Sequence, residues 1–331
     1  MIVTSRTPLR VSLFGGGTDY PEYYRRRPGA VLGFTIDKYI YISAIRLPPF
    51  VDYRYRLTYR KLELCQRVDE IEHPAVRAVL EQQGLDEPLD MSVQADLPAN
   101  AGLGSSSSFA VGFLNLVSAL QGIPRTRLEL AEAAIELEHV VLRERVGIQD
   151  QLHAAFGGMN RFDFHGDELK VSPVRISGTD LEALSDWLIL VYTGVKRHAS
   201  VTLEEQIERT ERRDVDDELA AMVGLVDEAE AVFARRRGDD LAEALAGLLR
   251  TAWELKRGLS ASVSNPEIDA LYQRCLDNGA LAGKLLGAGG GGFLLMVAPP
   301  DARERLVADL GPDRCVAFRI DHSGSTVTQQ L

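Results

Sequence analysis

The chain has 331 residues, 45% apolar and 26% charged, the composition of a folded globular protein and not of a disordered or fibrous one. Its formal net charge of −11 argues against nucleic acid or an anionic membrane surface as a main partner, since both reward a basic face. At this length one large domain or two packed ones are expected, and two are favoured.

The first hundred residues read mostly as strands. Leu9 to Phe14 and the stretch from Val31 to Ile45 are rich in Val, Ile and Tyr, and Y-R-Y-R-L-T-Y at Tyr53 to Tyr59 alternates with period two, as a half-solvated strand does. Within this region R-V-S-L-F-G-G-G-T-D-Y, Arg10 to Tyr20, runs from a strand into three glycines and a Thr18-Asp19 pair. Such a pair suits hydrogen bonding to sugar hydroxyls.

His73 to Gln83 reads as a helix ended by Gly84, and Leu89 to Ala95 as a strand. That strand leads into L-P-A-N-A-G-L-G-S-S-S-S-F-A-V, Leu97 to Val111. Gly102 and Gly104 permit a tight turn and close approach to a ligand, and the helix that follows presents unpaired N–H groups at its start. Such an end attracts phosphate, and a serine hydroxyl there can add a donor or ligate magnesium. A serine N-cap on a core helix would look the same. No G-K-[ST] follows the glycines, so this is not a Walker loop.

Helical spacing continues over Ser106 to Leu120 and Arg127 to Arg145, divided by G-I-P, where proline cannot continue a helix. E-H-V-V-L-R-E-R-V-G-I-Q-D-Q, Glu138 to Gln151, then sets Asp150 where it can serve as a base or as a structural cap. N-R-F-D-F and E-L-K-V-S-P-V, joined by H-G-D, read as a hairpin, and the domain boundary falls near here, giving residues 1–170 and 171–331. Trp187 to Tyr192 reads as a buried strand and Ala199 to Gly258 as helical. Asn265-Pro266 starts another helix, and a last strand is expected at Val316 to Ile320. G-A-G-G-G-G at Gly287 to Gly292 satisfies G-x-G-x-x-G, but a strand pattern follows it where a dinucleotide site needs a helix. A loop lying close to another backbone is the better reading. Cys65, Cys275 and Cys315 lie far apart with no C-x-x-C pair, which suggests reduced buried thiols. With no apolar run long enough to span a membrane, a cytoplasmic protein is expected.

Taken together, R-V-S-L-F-G-G-G-T-D-Y, L-P-A-N-A-G-L-G-S-S-S-S, G-I-Q-D-Q and K-L-L-G-A-G-G-G-G-F resemble, in order, the motifs of the GHMP kinases. This is the superfamily of galactokinase, homoserine kinase, mevalonate kinase and phosphomevalonate kinase. F-T-I-D-K-Y-I-Y, V-D-E-I-E-H-P-A-V-R, Y-T-G-V-K-R-H-A-S and W-E-L-K-R-G-L-S-A-S-V-S-N-P-E-I-D make the chain most similar to the D-glycero-D-manno-heptose 7-phosphate kinases. Galactokinases carry G-E-H-T-D where this chain has Gly16-Gly17-Thr18-Asp19, whereas fucokinases share much of the pattern.

The resemblance implies an α+β fold. Its amino-terminal domain would be of the ribosomal protein S5 domain 2 type and its carboxy-terminal domain ferredoxin-like, with ATP and sugar between them. It assigns the phosphate loop to Pro98, Gly102, Leu103, Gly104, Ser105, Ser106, Ser107 and Ser108, and magnesium to Ser105 and Glu138. It makes Asp150 the catalytic aspartate and Arg10 its basic partner, and it gives the acceptor to Gly17, Thr18 and Asp19. For a distal phosphate on the acceptor, Lys196, Arg197, Lys256, Arg257 and Lys284 are candidates, each by itself better explained as a surface charge. Arg197 is the first choice, because a strand end feeding a helix start is a ready anion site. The implied reaction is ATP-dependent phosphorylation of the anomeric hydroxyl of a heptose 7-phosphate, on the route to nucleotide-activated heptose for bacterial surface polysaccharide. A fucokinase-like kinase of an unphosphorylated sugar and an inactive ATP and sugar sensor are the alternatives. Oligomeric state stays open, a homo-oligomer included.

Overall fold

The computed structural model describes residues 1–195 and 199–330, without the side chains of residues 199–201. Its first hairpin pairs β1 (Ile2–Phe14) antiparallel with β2 (Gly29–Arg46), with the short helix α1 (Pro21–Tyr24) in the connection. β3 (Tyr55–Thr58) and β4 (Leu62–Cys65) make a second hairpin. α2 (Pro74–Gln83) follows, started by His73 and closed by a left-handed Gly84 as its sequence indicates, and then β5 (Leu89–Ala95), parallel to β3 and antiparallel to β2.

α3 (Ser105–Gln121) buries Phe109, Val111, Phe113, Leu116 and Leu120, so it is covered on most sides. α4 (Arg127–Glu136) begins with a Thr126–Glu129 capping box. The expected continuation of this helix to Arg145 does not form: residues Leu137–Val141 make one π turn, and Arg143 then takes a left-handed φ of +56°. Single π turns of this kind recur at functional sites, and Glu138 sits on this one. α5 (Gln149–Phe156) and the hairpin of β6 (Met159–His165) and β7 (Glu168–Pro173) complete the first half.

α6 (Gly178–Trp187) leads into β8 (Leu188–Tyr192). The helical run that follows divides into α7 (Ala199–Glu211), α8 (Asp216–Arg235) and α9 (Gly238–Leu259), with a left-handed Arg213 at one break and extended Arg236 and Arg237 at the other. α10 (Pro266–Asp277) is capped by the Asn265 side chain, then come β9 (Ala282–Leu285), β10 (Phe293–Val297), α11 (Pro300–Leu310) and β11 (Cys315–Val316). Strands β11, β8, β10 and β9 form a four-stranded antiparallel sheet in that order.

The segment expected as one strand at Val316–Ile320 serves two sheets. β11 ends the second sheet, and β12 (Ile320–Asp321) pairs with β2 of the first. β13 (Thr326–Gln330) then lies along β1, Gln330 opposite Ile2. The protein is thus α+β, as its sequence indicates. No helix among the described residues is long and apolar enough to cross a membrane.

β1 positions the site. Helices α3, α5, α8 and α9 all pack against it, which is why its second half is buried on both faces. A register shift falls between Pro8 and Leu9, where proline brings no N–H to the ladder. Arg10 follows directly, 5% exposed.

Candidate active site

The guanidinium of Arg10 holds Asp150 with two parallel bonds, Nε to Oδ1 at 2.7 Å and Nη2 to Oδ2 at 2.8 Å, while Nη1 donates to the Gly102 carbonyl at 2.5 Å. Every nitrogen of that guanidinium is therefore engaged. Asp150 lies in the first turn of α5, where free N–H groups favour a carboxylate. Gly102 has φ +80°, and a Cβ there would fall 2.4 Å from the Leu286 carbonyl oxygen. The Leu97–Val111 loop and the Gly287–Gly292 turn thus meet backbone on backbone, the close approach expected of that glycine run.

Asp19 is 1% exposed. Its Oδ1 accepts from Gly17 N at 3.0 Å and from Gln149 Nε2 at 2.9 Å, and its Oδ2 from Gln149 N at 3.3 Å. Burial and the neighbouring Asp150 raise its pKa. Gly17, Asp19, Arg10 and Asp150 line one cavity of about 170 Å³ together with Ser106, Ser107 and Glu138.

Glu138 is 2% exposed on its π turn. Its Oε2 accepts from Ser107 Oγ at 3.0 Å and from Gln151 Nε2, whereas Oε1 has no partner. Burial pushes its carboxyl up to about 8. The serine at this carboxylate is Ser107 and not Ser105, whose Oγ accepts from Asn100 N at 3.3 Å. Two positions along α3 turn a side chain by more than half the helix circumference, so the two hydroxyls point to different neighbours.

Three further residues expected at the site make their side-chain or carbonyl contacts away from the cavity. The Thr18 hydroxyl donates to the Gly15 and Ala30 carbonyls at 2.8 and 2.9 Å and accepts from Ala30 N at 3.1 Å, so it ties the glycine turn to β2 and does not face the cavity. The Ser108 hydroxyl, fully buried, donates to the Pro8 carbonyl at 2.9 Å. Leu103 is 1% exposed, and its carbonyl accepts from Arg10 N, so it anchors the loop. Pro98 is exposed at the loop's start, Gly104 caps α3 in a left-handed conformation, and Ser106 is exposed at the cavity. Lys196, Arg197 and their expected anion site lie outside the described residues.

Sequence reasoning undervalued four side chains. Gln149 and Gln151 flank Asp150 and bond Asp19 and Glu138; the alternation in G-I-Q-D-Q was the signal. Lys256 and Lys284, candidates for a distal phosphate but each better explained by itself as a surface charge, are 7% and 2% exposed and line the same cavity. Their motif segments do not show that they are buried, because what covers them comes from remote segments. Arg257, by contrast, is exposed and pairs with Asp269 at 3.1 Å.

A second cavity of about 540 Å³ opens on the other side of the serine helix start. It is lined by Tyr59, His73, Leu97, Asn100, Ser105 and Phe109 among others, and shares Ser106, Glu138 and Glu144 with the first.

Residues 63–158 match the family model of the GHMP kinases N terminal domain, and residues 227–317 that of the GHMP kinases C terminal. The D-glycero-alpha-D-manno-heptose 7-phosphate kinase of Campylobacter jejuni subsp. jejuni serotype O:2 is 30% identical over 324 residues, covering 93% of each chain. Galactokinase of Thermotoga maritima is 26% identical over 351 residues, 96% of this chain and 95% of that one. The crystal structure of a D-glycero-D-manno-heptose 1-phosphate kinase from Bacteroides thetaiotaomicron superposes with a TM-score of 0.80 at 21% identity over 99% of both chains. With both domain models matched in order and a relative this similar along nearly its whole length, the chain belongs to the GHMP kinases, phosphotransferases that take ATP as their donor.

Proposed function

We propose that this sugar kinase phosphorylates the anomeric C1 hydroxyl of D-glycero-D-manno-heptose 7-phosphate to the 1,7-bisphosphate. The observation that carries the chemistry is the bidentate Arg10–Asp150 pair lining one cavity with buried Asp19. The observation that carries the substrate is similarity to the Campylobacter jejuni enzyme.

The smaller cavity takes the sugar and the larger one the nucleotide, and they meet at Ser106 and Glu138, where the γ-phosphate must lie for transfer. Asp19 accepts hydrogen bonds from sugar hydroxyls. Asp150 accepts the proton of the C1 hydroxyl as its oxygen bonds to the γ-phosphorus and the bond from that phosphorus to the β–γ bridging oxygen breaks, releasing ADP. Arg10 fixes the carboxylate's orientation through the two parallel bonds. The free N–H groups at the start of α3, with Ser106 beside them, face the phosphates.

The residues also fit a magnesium ion. Glu138 presents a buried oxygen without a partner and is held by burial at about 8, the condition of a carboxylate suited to a cation, and Ser107 stands beside it. Magnesium takes few protein oxygens when phosphates supply the others. Bound there with ATP, it would neutralise charge developing on the transferring phosphoryl group.

A second reading, a fucokinase-like or other sugar-1-kinase acting on an unphosphorylated sugar, draws support from similarity to the Thermotoga maritima galactokinase. Coupled ADP release with heptose 7-phosphate, free heptose, mannose and fucose decides between them. Strong preference for the 7-phosphate, with the new phosphate on C1, is the expected result. Equal or better turnover of a free sugar would transfer the assignment to the second reading, and turnover of none would leave a sensor.

A further inference from the structure

Lys256 on α9 and Lys284 on β9 bring two ammonium groups to the floor of the smaller cavity. Lys284 Nζ donates to the Leu13 carbonyl at 2.8 Å. Lys256 Nζ donates to the Leu285 carbonyl at 2.8 Å and to that of Gly287. Among the described residues neither makes an ion pair with a carboxylate, although both are more than nine-tenths buried. Burying a cation without a counter-charge is costly, and carbonyl dipoles offset only part of it. The neighbours add to the cost: Arg10 opposes Lys284, and Lys284 and Arg10 oppose Lys256.

An ammonium has three N–H donors. Lys284 keeps two and Lys256 one for a ligand in the cavity, while the charge of Arg10 is already met by the Asp150 carboxylate. A tetrahedral oxyanion matches that set, because its oxygens accept several charge-assisted bonds at once. Both lysines line the smaller cavity, with Asp19, and neither lines the larger one.

We propose that Lys256 and Lys284 form a phosphate-binding floor beneath the acceptor, and that the group they hold is the acceptor's own phosphate. The inference rests on the proposed reading for the identity of the sugar and on the cavity alone for the phosphate site. It replaces Arg197 as the site of the distal phosphate.

The test uses Lys284→Gln and Lys256→Gln, which keep a donor for the carbonyls and remove the charge. Steady-state rates are measured on heptose 7-phosphate and free heptose, with orthophosphate as a separate probe of the nucleotide-free enzyme. In the wild type orthophosphate should compete with heptose 7-phosphate and not with ATP. In each variant the preference for the phosphorylated over the free sugar should fall by about tenfold or more, as expected for losing a charge-assisted bond, and orthophosphate competition should weaken in parallel. Orthophosphate competing with ATP instead, together with an equal loss of turnover on both sugars, would keep a phosphate site and assign it to the nucleotide's γ-phosphate. No orthophosphate competition in the wild type would overturn the proposal whatever the variants do, including if they fail to fold. Equal wild-type turnover of both sugars would sink the heptose 7-phosphate reading separately, while lysine-dependent orthophosphate competition would still uphold the floor.

Discussion

Two groups of charge line the smaller cavity, and they are built differently. On the side of β1 and α5, Arg10 and Asp150 neutralise each other through paired bonds, and the remaining guanidinium nitrogen is tied to Gly102. On the side of α9 and β9, Lys256 and Lys284 are held by backbone carbonyls alone. A matched pair is set before any ligand arrives and suits chemistry that needs a fixed group, whereas an unmatched buried cation gains most from a charge brought by the ligand. The difference separates a side that performs the transfer from one that grips the acceptor.

Breaking the matched side should have the largest effect. Asp150→Asn removes the proton acceptor and leaves Arg10 buried beside a neutral amide. Turnover should fall by about 100-fold to 10,000-fold, the range of general-base catalysis, with ATP affinity little changed. Titrating nucleotide binding alongside kcat checks it, and full turnover in the variant would remove Asp150 from the chemistry.

The contact between the two sides comes next. Gly102→Ala asks an L-residue to hold φ +80° with its Cβ 2.4 Å from the Leu286 carbonyl oxygen. Strain of this sort costs about 1–3 kcal/mol before the clash is relieved, and relief must move either the phosphate loop or the turn that Lys256 holds. Thermal unfolding should shift down, and KM should rise for both ATP and acceptor. A rise for one substrate alone would show that the loops move independently.

The matched side was far more legible in the sequence than the unmatched one. Arg10, Asp19, Glu138 and Asp150 sit in motifs whose glycines and spacing mark them, and the local rules for caps located α2, β5 and the start of α10 to within a residue. Lys256 and Lys284 also lie in motif segments, W-E-L-K-R-G and K-L-L-G-A-G-G-G-G-F, but neither pattern tells a buried lysine from an exposed one. Lys284 meets a carbonyl 271 positions away, and a lysine in a mixed segment reads as exposed unless its covering elements are known. The same limit hid β13, whose T-V-T-Q-Q has little apolar alternation because it lies at the edge of its sheet. The choice between Ser105 and Ser107 depended on helix phase, which four identical residues cannot reveal.

Acidity sharpens the unmatched side. Burial first, and Arg10 second, lower Lys284 from the usual lysine range to about 7, and Lys256 is lowered as well by burial and by both of these cations. The charged form of Lys284, which attracts a phosphate, is therefore present below about pH 7 and lost as pH rises through it. KM for the phosphorylated acceptor should climb between pH 7 and 9, by up to about tenfold per pH unit where one proton is lost, and KM for free heptose should not follow. Stability carries the opposite sign, because between pH 7 and the unfolded lysine value the unfolded chain binds more protons, so unfolding free energy rises with pH. A flat acceptor profile would show that Lys284 does not hold the phosphate.

The smallest effect is expected where no charge is involved. Thr18 adjoins Asp19 in the sequence and was read with it as a sugar contact, yet its hydroxyl is fully buried and bonded to Gly15 and Ala30. Thr18→Val keeps the shape and removes these bonds, leaving Ala30 N without its side-chain partner and costing about 1–3 kcal/mol of stability. KM for the acceptor should stay within about twofold, well under the effect of losing a direct substrate hydrogen bond. Measuring unfolding and acceptor KM on the same preparation separates the two roles. Lowered stability with unchanged KM makes Thr18 a brace that holds the Gly15–Gly17 turn, so that Asp19 meets the sugar alone. A raised KM at unchanged stability would return Thr18 to the acceptor site and require the glycine turn to open when sugar binds.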